Sequence, residues 1–375
     1  MRVVIAIDSF KGSASSSELA CAIEKGILKV YKDCQIVICP IADGGEGTVE
    51  ALSCGDGAKI VSSTCKDPLG NDIEVKYTIL KDSVAVIEMA SASGLTLLPL
   101  EKRDPSITSS YGTGDLIKDA IKNGVREFIV GLGGSATNDA GLGMLRSLGF
   151  RFLDKSNREI VFTKDLEKVD SIDKSNILKE LKKCKFKIAC DVNNPLFGEN
   201  GATFVYGKQK GANKEMILDL DNKLKHFAKV VEKKSGTKLH DFEGAGAAGG
   251  LGFGFLAFLN AELTSGIKII LEQVDLKGKI KNADFVITGE GKIDKQSSMG
   301  KVIHGIGSIC KEEGIRCIAL SGNTDEADSS INEIGVSAFF SILNSPITLE
   351  EAMDKQKTLG LIEKQSEQIF RLLSI

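Results

Sequence analysis

At 375 residues the chain is long enough for two domains and a sizeable core. Its 48 Lys and Arg against 51 Asp and Glu leave a formal charge of -3, without the basic excess that nucleic acid or an anionic membrane would demand of a partner. The apolar run after Arg2 stops at Asp8, too short for a signal-peptide core, and no other run reaches the roughly 18 to 20 residues of a spanning helix, so a cytoplasmic location is expected.

VVIAI (3–7) reads as a buried strand, and Ser15 with Glu18 forms a capping-box pattern ahead of an apolar helix face at Leu19, Ala22, Ile23, Ile27 and Val30. QIVIC (35–39) is a second buried strand, closed by Pro40; this βαβα order implies a parallel sheet. From about residue 58 the pattern changes to period two, as in NDIEVKYTILKDSVAVIEM, which predicts half-exposed strands and a partly antiparallel region. REFIVGLGG (126–134) returns to strand and glycine turn, followed by a helix expected around 138–148. FKIACDVNNPLFG carries another buried strand, and 214–234 a long amphipathic helix. GAGAAGGLGFGFLAFLNA (244–261) reads as a helix entering tight packing through small residues. ADFVIT (283–288), a helix near 301–313, IRCIAL (315–320), SAFFSIL (337–343) and a final helix near 348–373 restore strict alternation.

The expected fold is therefore α/β in two domains. Residues 1–62 and 282–375 would form an open, mostly parallel Rossmann-like domain from both chain ends, with 63–281 an inserted mixed α/β domain and the cleft between them the default site. Nine cysteines without C-x-x-C spacing suggest reduced thiols, and His226, His240 and His304 are too scattered to suggest a structural metal.

Parallel sheets bind ligands beyond the carboxyl ends of their strands, where helix starts present unpaired N–H groups. Five loops fit that position: DSFKGS (8–13), ADGGEGT (42–48), GLGGSATND (131–139), CDVNNPLFG (190–198) and TGEGKIDKQSSMGK (288–301). Glycine lets a phosphate approach the backbone, and Ser135, Thr137 and Asn138 add side-chain donors. Ser9, Gly44, Gly45, Gly133, Gly134, Asn194, Gly289, Glu290 and Lys301 complete the set expected to bind substrate or nucleotide. Each has a structural counterpart: Asp8 could cap a helix, Lys11 could be a solvated charge, and Asp191 could begin a turn.

A dinucleotide reading rests on Gly131, Gly133 and Ala136, a G-x-G-x-x-A match after a strand, with Asp154 about twenty residues on. Gly244, Gly246 and Gly249 give the same pattern with no strand before them, so the match is cheap in a chain with 40 glycines. A Walker loop is absent, since residue 295 is Lys and residue 302 is Val around Gly300 and Lys301. Serine hydrolase chemistry lacks its G-x-S-x-G. Phosphoryl transfer still fits the inventory of glycine loops, carboxylates and lysines.

DSFKGSASSSE, PIADGGEGTVEAL, ASASGLTLLP, SYGTGDLI, GLGGSATNDAGLGML, ACDVNNPLFGENGATFVYGKQKGA, GAGAAGGLGFG and ADFVITGEGKIDKQSSMGK run in order to beyond residue 320. Together they resemble the type 1 glycerate kinase family. The resemblance implies ATP-dependent phosphorylation of D-glycerate, typically at the 2-hydroxyl, with Mg2+, on two α/β domains of which one is inserted in the other. It carries Asp8, Ser9 and Lys11, then Asp43 and Glu46, Asp191, Glu290 and Asp294 onto this chain. On that basis Asp8, Lys11 and Asp191 are the catalytic candidates, with Asp8 or Asp191 taking the hydroxyl proton, and Asp43, Glu46 and Asp294 the Mg2+ ligands. The chain departs from the family pattern at Ile303, followed by His304, where a proline is expected, which bears on the rigidity of that loop. D-glycerate is the expected small-molecule partner, with a homodimer left open. The alternatives carried are transfer to the 3-hydroxyl, an NAD-linked hydroxyacid oxidoreductase, and a non-catalytic glycerate or nucleotide sensor.

Overall fold

The computed structural model describes residues 1–42, 52, 57–293, 302–324 and 329–374. Within them the strands are β1 (Arg2–Ile5), β2 (Gln35–Ile38), β3 (Lys59–Lys66), β4 (Asp72–Ile79), β5 (Val84–Glu88), β6 (Glu127–Gly131), β7 (Arg151–Leu153), β8 (Ser171–Asp173), β9 (Lys185–Ala189), β10 (Glu262–Thr264), β11 (Phe285–Lys292), β12 (Arg316–Asn323) and β13 (Ala338–Ser341). The chain divides into two units, Met1–Gly55 with Ile267–Ile375, and Asp56–Gly266.

The first unit is built on a wholly parallel sheet of order β13-β12-β11-β1-β2. The order reverses between β1 and β11, which makes that pair the topological switch point, where open α/β sheets bind ligands. The Ser15 hydroxyl accepts from the Glu18 amide at 3.3 Å while the Glu18 carboxylate accepts from the Ser15 amide at 3.0 Å, so the capping box forms and starts the helix Ser16–Leu28. That helix buries Leu19, Ile23 and Ile27 against β1 and against Ile362, Ile369 and Phe370 of the last helix. Ser16 fastens two strand ends together: its hydroxyl donates to the Ile7 carbonyl at 2.6 Å and accepts from the Ile41 amide at 3.2 Å.

The second unit carries a mixed six-stranded sheet of order β10-β9-β6-β5-β4-β3, in which β3, β4 and β5 pair antiparallel and the rest parallel. The period-two segments are these antiparallel strands. An open parallel sheet from both chain ends and an inserted mixed α/β unit are thus the observed fold class.

Two helices differ from their sequence-based bounds. The helix expected at 138–148 spans only Leu142–Ser147, because Ala140 and Gly141 take left-handed conformations (φ 51 and 76) and hold the chain out of the helix until residue 142. The final helix is two, Leu349–Met353 and Lys355–Leu373, separated at Asp354, whose extended backbone and side chain cap the second. Ile303 lies in the first turn of the helix Val302–Glu313 and is fully buried, so an apolar contact stands where the family pattern has proline. No helix among the described residues is long and apolar enough to cross a membrane.

Candidate functional site

In the first unit the strand ends at the switch point open into a cavity of about 580 Å³, within the range typical of small-molecule sites. Its floor is polar: Asp8 and Ser9 after β1, Lys11 in the turn that follows, Glu290 and Lys292 in β11, and Asn323 at the end of β12. The sheet itself fixes this floor. Asp8 donates its amide to the Gly289 carbonyl at 3.0 Å, continuing the β1–β11 ladder past the last paired strand residue, so Asp8 and Glu290 sit at adjacent strand ends. Both carboxylates are buried, at 4% and 8% exposure, whereas Lys11 and Lys292 are exposed. One Asp8 oxygen accepts from the Ser9 amide at 2.7 Å, which fixes the rotamer of the carboxylate. Phe10 and Ala14 bridge across the turn, so Lys11 projects from a closed loop.

The wall of the same cavity is apolar. Ile342 and Leu343 follow β13, and Ile347, Leu349 and Met353 come from the segment that leads into and forms the next short helix. Thr348 and Glu351 form a second capping box there, and the Glu351 carboxyl is held down at about 2, chiefly by the Lys357 ammonium bonded to it. The segment is closed back onto the first loop, with the Met353 methyl against Gly12 and the Ser13 and Thr358 hydroxyls 2.7 Å apart.

In the second unit the glycine turn after β6 has a different character. Gly133 and Gly134 are exposed, but Ser135 is 6% exposed and Thr137, Asn138 and Asp139 are sealed. The turn is stitched to the segment after β5, with the Leu95 amide on the Gly134 carbonyl at 2.8 Å and the Ala136 amide on the Ser93 carbonyl at 2.9 Å. Asn138 donates its side-chain amide to the Thr203 hydroxyl at 2.9 Å. The Asp139 carboxylate accepts from the Ser110 amide and hydroxyl at 2.9 and 2.8 Å, and from the Gly141 and Gly143 amides at 3.1 and 3.0 Å. The start of the helix Leu142–Ser147 is therefore occupied by an anion of the chain itself. Gly249, with φ +69, lies so close to the Thr137 carbonyl that any Cβ would collide, which is why the helix entered through small residues packs on this turn.

Lys210 lies beneath the turn and was not among the sequence candidates. Its ammonium donates to the Ser135 hydroxyl at 2.8 Å and the Thr137 carbonyl at 2.7 Å. Burial pushes this amine down from 10.5 to about 7, against the opposing pull of the Asp139 carboxylate. Nothing near Lys210 in sequence announces burial, since it stands in GKQKGA between two glycines.

Asp191 and Asn194 lie on the loop after β9. Asp191 is exposed, and one of its oxygens accepts from the Gly266 amide at 3.0 Å. Asn194 bonds the Asn200 carbonyl and the Tyr206 hydroxyl at 2.8 Å each, shaping its own loop. The structure thus gathers Asp8, Ser9 and Glu290 with Lys11 around one cavity, with Gly289 in the strand behind it, and Gly133, Gly134, Ser135, Thr137 and Asn138 in one turn of the other unit. Asp43, Gly44, Gly45, Glu46, Asp294 and Lys301 lie outside the described residues. Among the described residues no group of three His, Cys, Asp or Glu side chains could hold a metal. A dinucleotide fingerprint needs a helix opening on its glycines. Here the left-handed pair Ala140 and Gly141 postpones the helix past residue 141.

The sequence model of the glycerate kinase family matches residues 3–374. The chain belongs to the glycerate kinase family. It is 45% identical over 354 residues to the glycerate 2-kinase of Escherichia coli K12, and 44% identical over 356 residues to the glycerate kinase of Bacillus subtilis 168; each match covers 94% of this chain and 93% of the relative. Among solved structures, that of a Salmonella typhimurium LT2 protein assigned as glycerate kinase 2 superposes with a TM-score of 0.91 at 40% identity, covering 100% of this chain and 98% of the other. Members of this family are phosphotransferases acting on glycerate, so the alternatives of a dehydrogenase and of a binding-only sensor have no support from these relatives.

Proposed function

We propose that this chain transfers the γ-phosphoryl group of ATP to the 2-hydroxyl of D-glycerate, giving 2-phosphoglycerate and ADP. The observation that carries the reading is the polar floor at the switch point of the parallel sheet, in a chain that matches the family along its whole length. Choice of the 2-hydroxyl is supported by the E. coli relative, named a glycerate 2-kinase.

Phosphoryl transfer asks for positioning and for charge complementary to the equatorial oxygens. Lys11 and Lys292 supply cations on the floor of the cavity, and buried Asp8, held by the Ser9 amide, is a fixed acceptor. The hydroxyl proton goes to Asp8 or to Asp191, either of which serves once the hydroxyl lies about 3 Å away. The exposed Gly133 and Gly134, followed by the Ser135 hydroxyl, hold an anionic group, phosphate or the glycerate carboxylate. Mg2+, which takes one or two carboxylates plus phosphate oxygens, would be held by Asp43, Glu46 or Asp294 and would neutralise charge on the phosphates.

The test is turnover with D-glycerate and ATP, with phosphorus NMR of the product to separate 2- from 3-phosphoglycerate. Asp8→Asn and Asp191→Asn, each checked for folding by circular dichroism, should separate the base from its neighbour: loss of the base costs about 10²- to 10⁴-fold in kcat. Near-normal turnover in both variants, or a 3-phosphoglycerate product, would overturn the corresponding part of the reading.

A further inference from the structure

The cavity of the first unit is larger and less polar than glycerate requires. Of the two reactants in the proposed reaction, glycerate presents oxygens on every carbon, and the triphosphate and ribose are polar throughout. Their oxygens are stabilised by the floor of Asp8, Lys11, Glu290, Lys292 and Asn323, and would lose hydrogen bonds against a wall of Ile342, Leu343, Ile347, Leu349 and Met353. The one reactant part with apolar faces is the nucleobase. Leu349 is 78% and Met353 40% exposed, although apolar and beside a cavity, which is the arrangement of a surface kept for a ligand. Size agrees. The lining runs from the end of β1 across β11 and β12 to the end of β13, three strand spacings of about 4.8 Å or roughly 14 Å, the reach of an extended nucleotide and not of a three-carbon acid.

From these observations we propose that the segment 342–353 is the nucleobase-binding wall of the phosphate donor site, with the adenine ring against Ile347, Leu349 and Met353 and the phosphate chain directed over the strand ends toward Lys11 and Lys292. Met353 suits this role, because an unbranched thioether adapts to a flat ring and makes favourable sulfur–aromatic contacts. The short helix is held by its own capping box and by contact with Gly12, so the wall is in place before the ligand arrives. The inference rests on the proposed kinase reaction, and it assigns the apolar wall to the donor's base, with the floor at Asp8 the place where the γ-phosphoryl group meets the acceptor hydroxyl.

The experiment uses Leu349→Asp and Met353→Gln in the full chain. Leu349 is solvent-accessible, whereas Met353 also touches Gly12, so folding of both variants is checked by thermal melting and Leu349→Asp carries the test. The KM for ATP should rise by about tenfold or more in Leu349→Asp, with the KM for D-glycerate unchanged. Inhibition by adenosine should weaken in parallel, while inhibition by tripolyphosphate, which lacks a base, is retained. An unchanged KM for ATP together with unchanged adenosine inhibition, or a rise in the KM for glycerate instead, overturns the proposal. Saturation-transfer NMR to the H2 and H8 protons of adenosine reads the same contact without turnover. A wild-type protein that shows this transfer but makes no phosphoglycerate refutes the kinase reading alone; one that turns over normally but shows identical transfer in Leu349→Asp refutes the nucleobase wall alone.

Discussion

The strand-end cavity of the first unit and the glycine turn of the second use similar residues to opposite ends. In the cavity, Lys11 and Lys292 are exposed above a floor that carries two buried carboxylates, and the apolar wall is left partly open. In the turn, Asp139 spends four acceptor positions on the chain's own donors, and Lys210 spends its donors on Ser135 and Thr137. The difference teaches that a glycine-rich stretch with small polar residues is not by itself a ligand cradle. In the turn only the tip at Gly133 and Gly134 is exposed; the buried Ser135 hydroxyl takes the Lys210 ammonium, and the remaining polar groups hold the turn in shape.

The comparison breaks most sharply at Asp139. Asp139→Ala should strip four donors of their acceptor and leave the Lys210 amine without its nearby negative charge. Each buried group left unpaired costs about 1 to 3 kcal/mol, so a loss of about 3 kcal/mol or more in urea denaturation is expected. A loss below 1 kcal/mol would show that the carboxylate is not the internal anion described above. Any comparable loss from Lys11→Ala would blur the contrast, since Lys11 is an exposed loop residue.

A smaller effect concerns pH. Lys210 titrates near 7 when folded and near its ordinary value of 10.5 when unfolded. Between those values the unfolded chain carries one more proton than the native one, so stability rises with pH from about 7 toward 10. Below 7 the amine is charged in both states and the cost of burying it is felt in full. Lys210→Met, compared with wild type by denaturant midpoints at pH 7 and 9.5, should lose this rise; a rise of equal size in the variant would place the titrating group elsewhere.

The smallest effect lies outside both regions. Ser15→Ala removes one half of the capping box of the helix Ser16–Leu28 and should cost about 1 kcal/mol with no change in kcat or in either KM. An activity change there would mean that the first helix communicates with the cavity, a coupling that no contact described above requires.

Much of the fold was legible because its signals are local. The capping box of Ser15 and Glu18 closes within four residues, and the apolar runs VVIAI and QIVIC need only a sheet to join; VVIAI is buried as expected, but β2 lies at the sheet edge, which leaves Gln35 exposed and Ile36, Val37 and Ile38 half-buried. Two readings missed single-residue backbone states that hydrophobic period does not show: left-handed Ala140 and Gly141 delay the helix start to Leu142, and extended Asp354 divides the final helix in two. Of the candidate site, DSFKGS was legible as a strand-end loop, whereas GEGK, expected in a loop, is the end of β11, kept extended by its pairing with β12; the structure brings both to one cavity. The apolar wall was not, because Leu349 and Met353 fall in the expected final helix and Ile347 just ahead of it, and nothing local shows that the end of β13 carries this segment past the cavity.

By itself the sequence determined the kinds of element, their order and the family, since hydrophobic period, caps and turn residues act over a few positions and the family blocks run along the chain. Only the tertiary structure decided which polar residues line a cavity and which are sealed inside a turn. Lys210 meets Ser135 across 75 residues of chain, and whether a charge is sealed in the interior or exposed at a cavity depends on what folding packs around it.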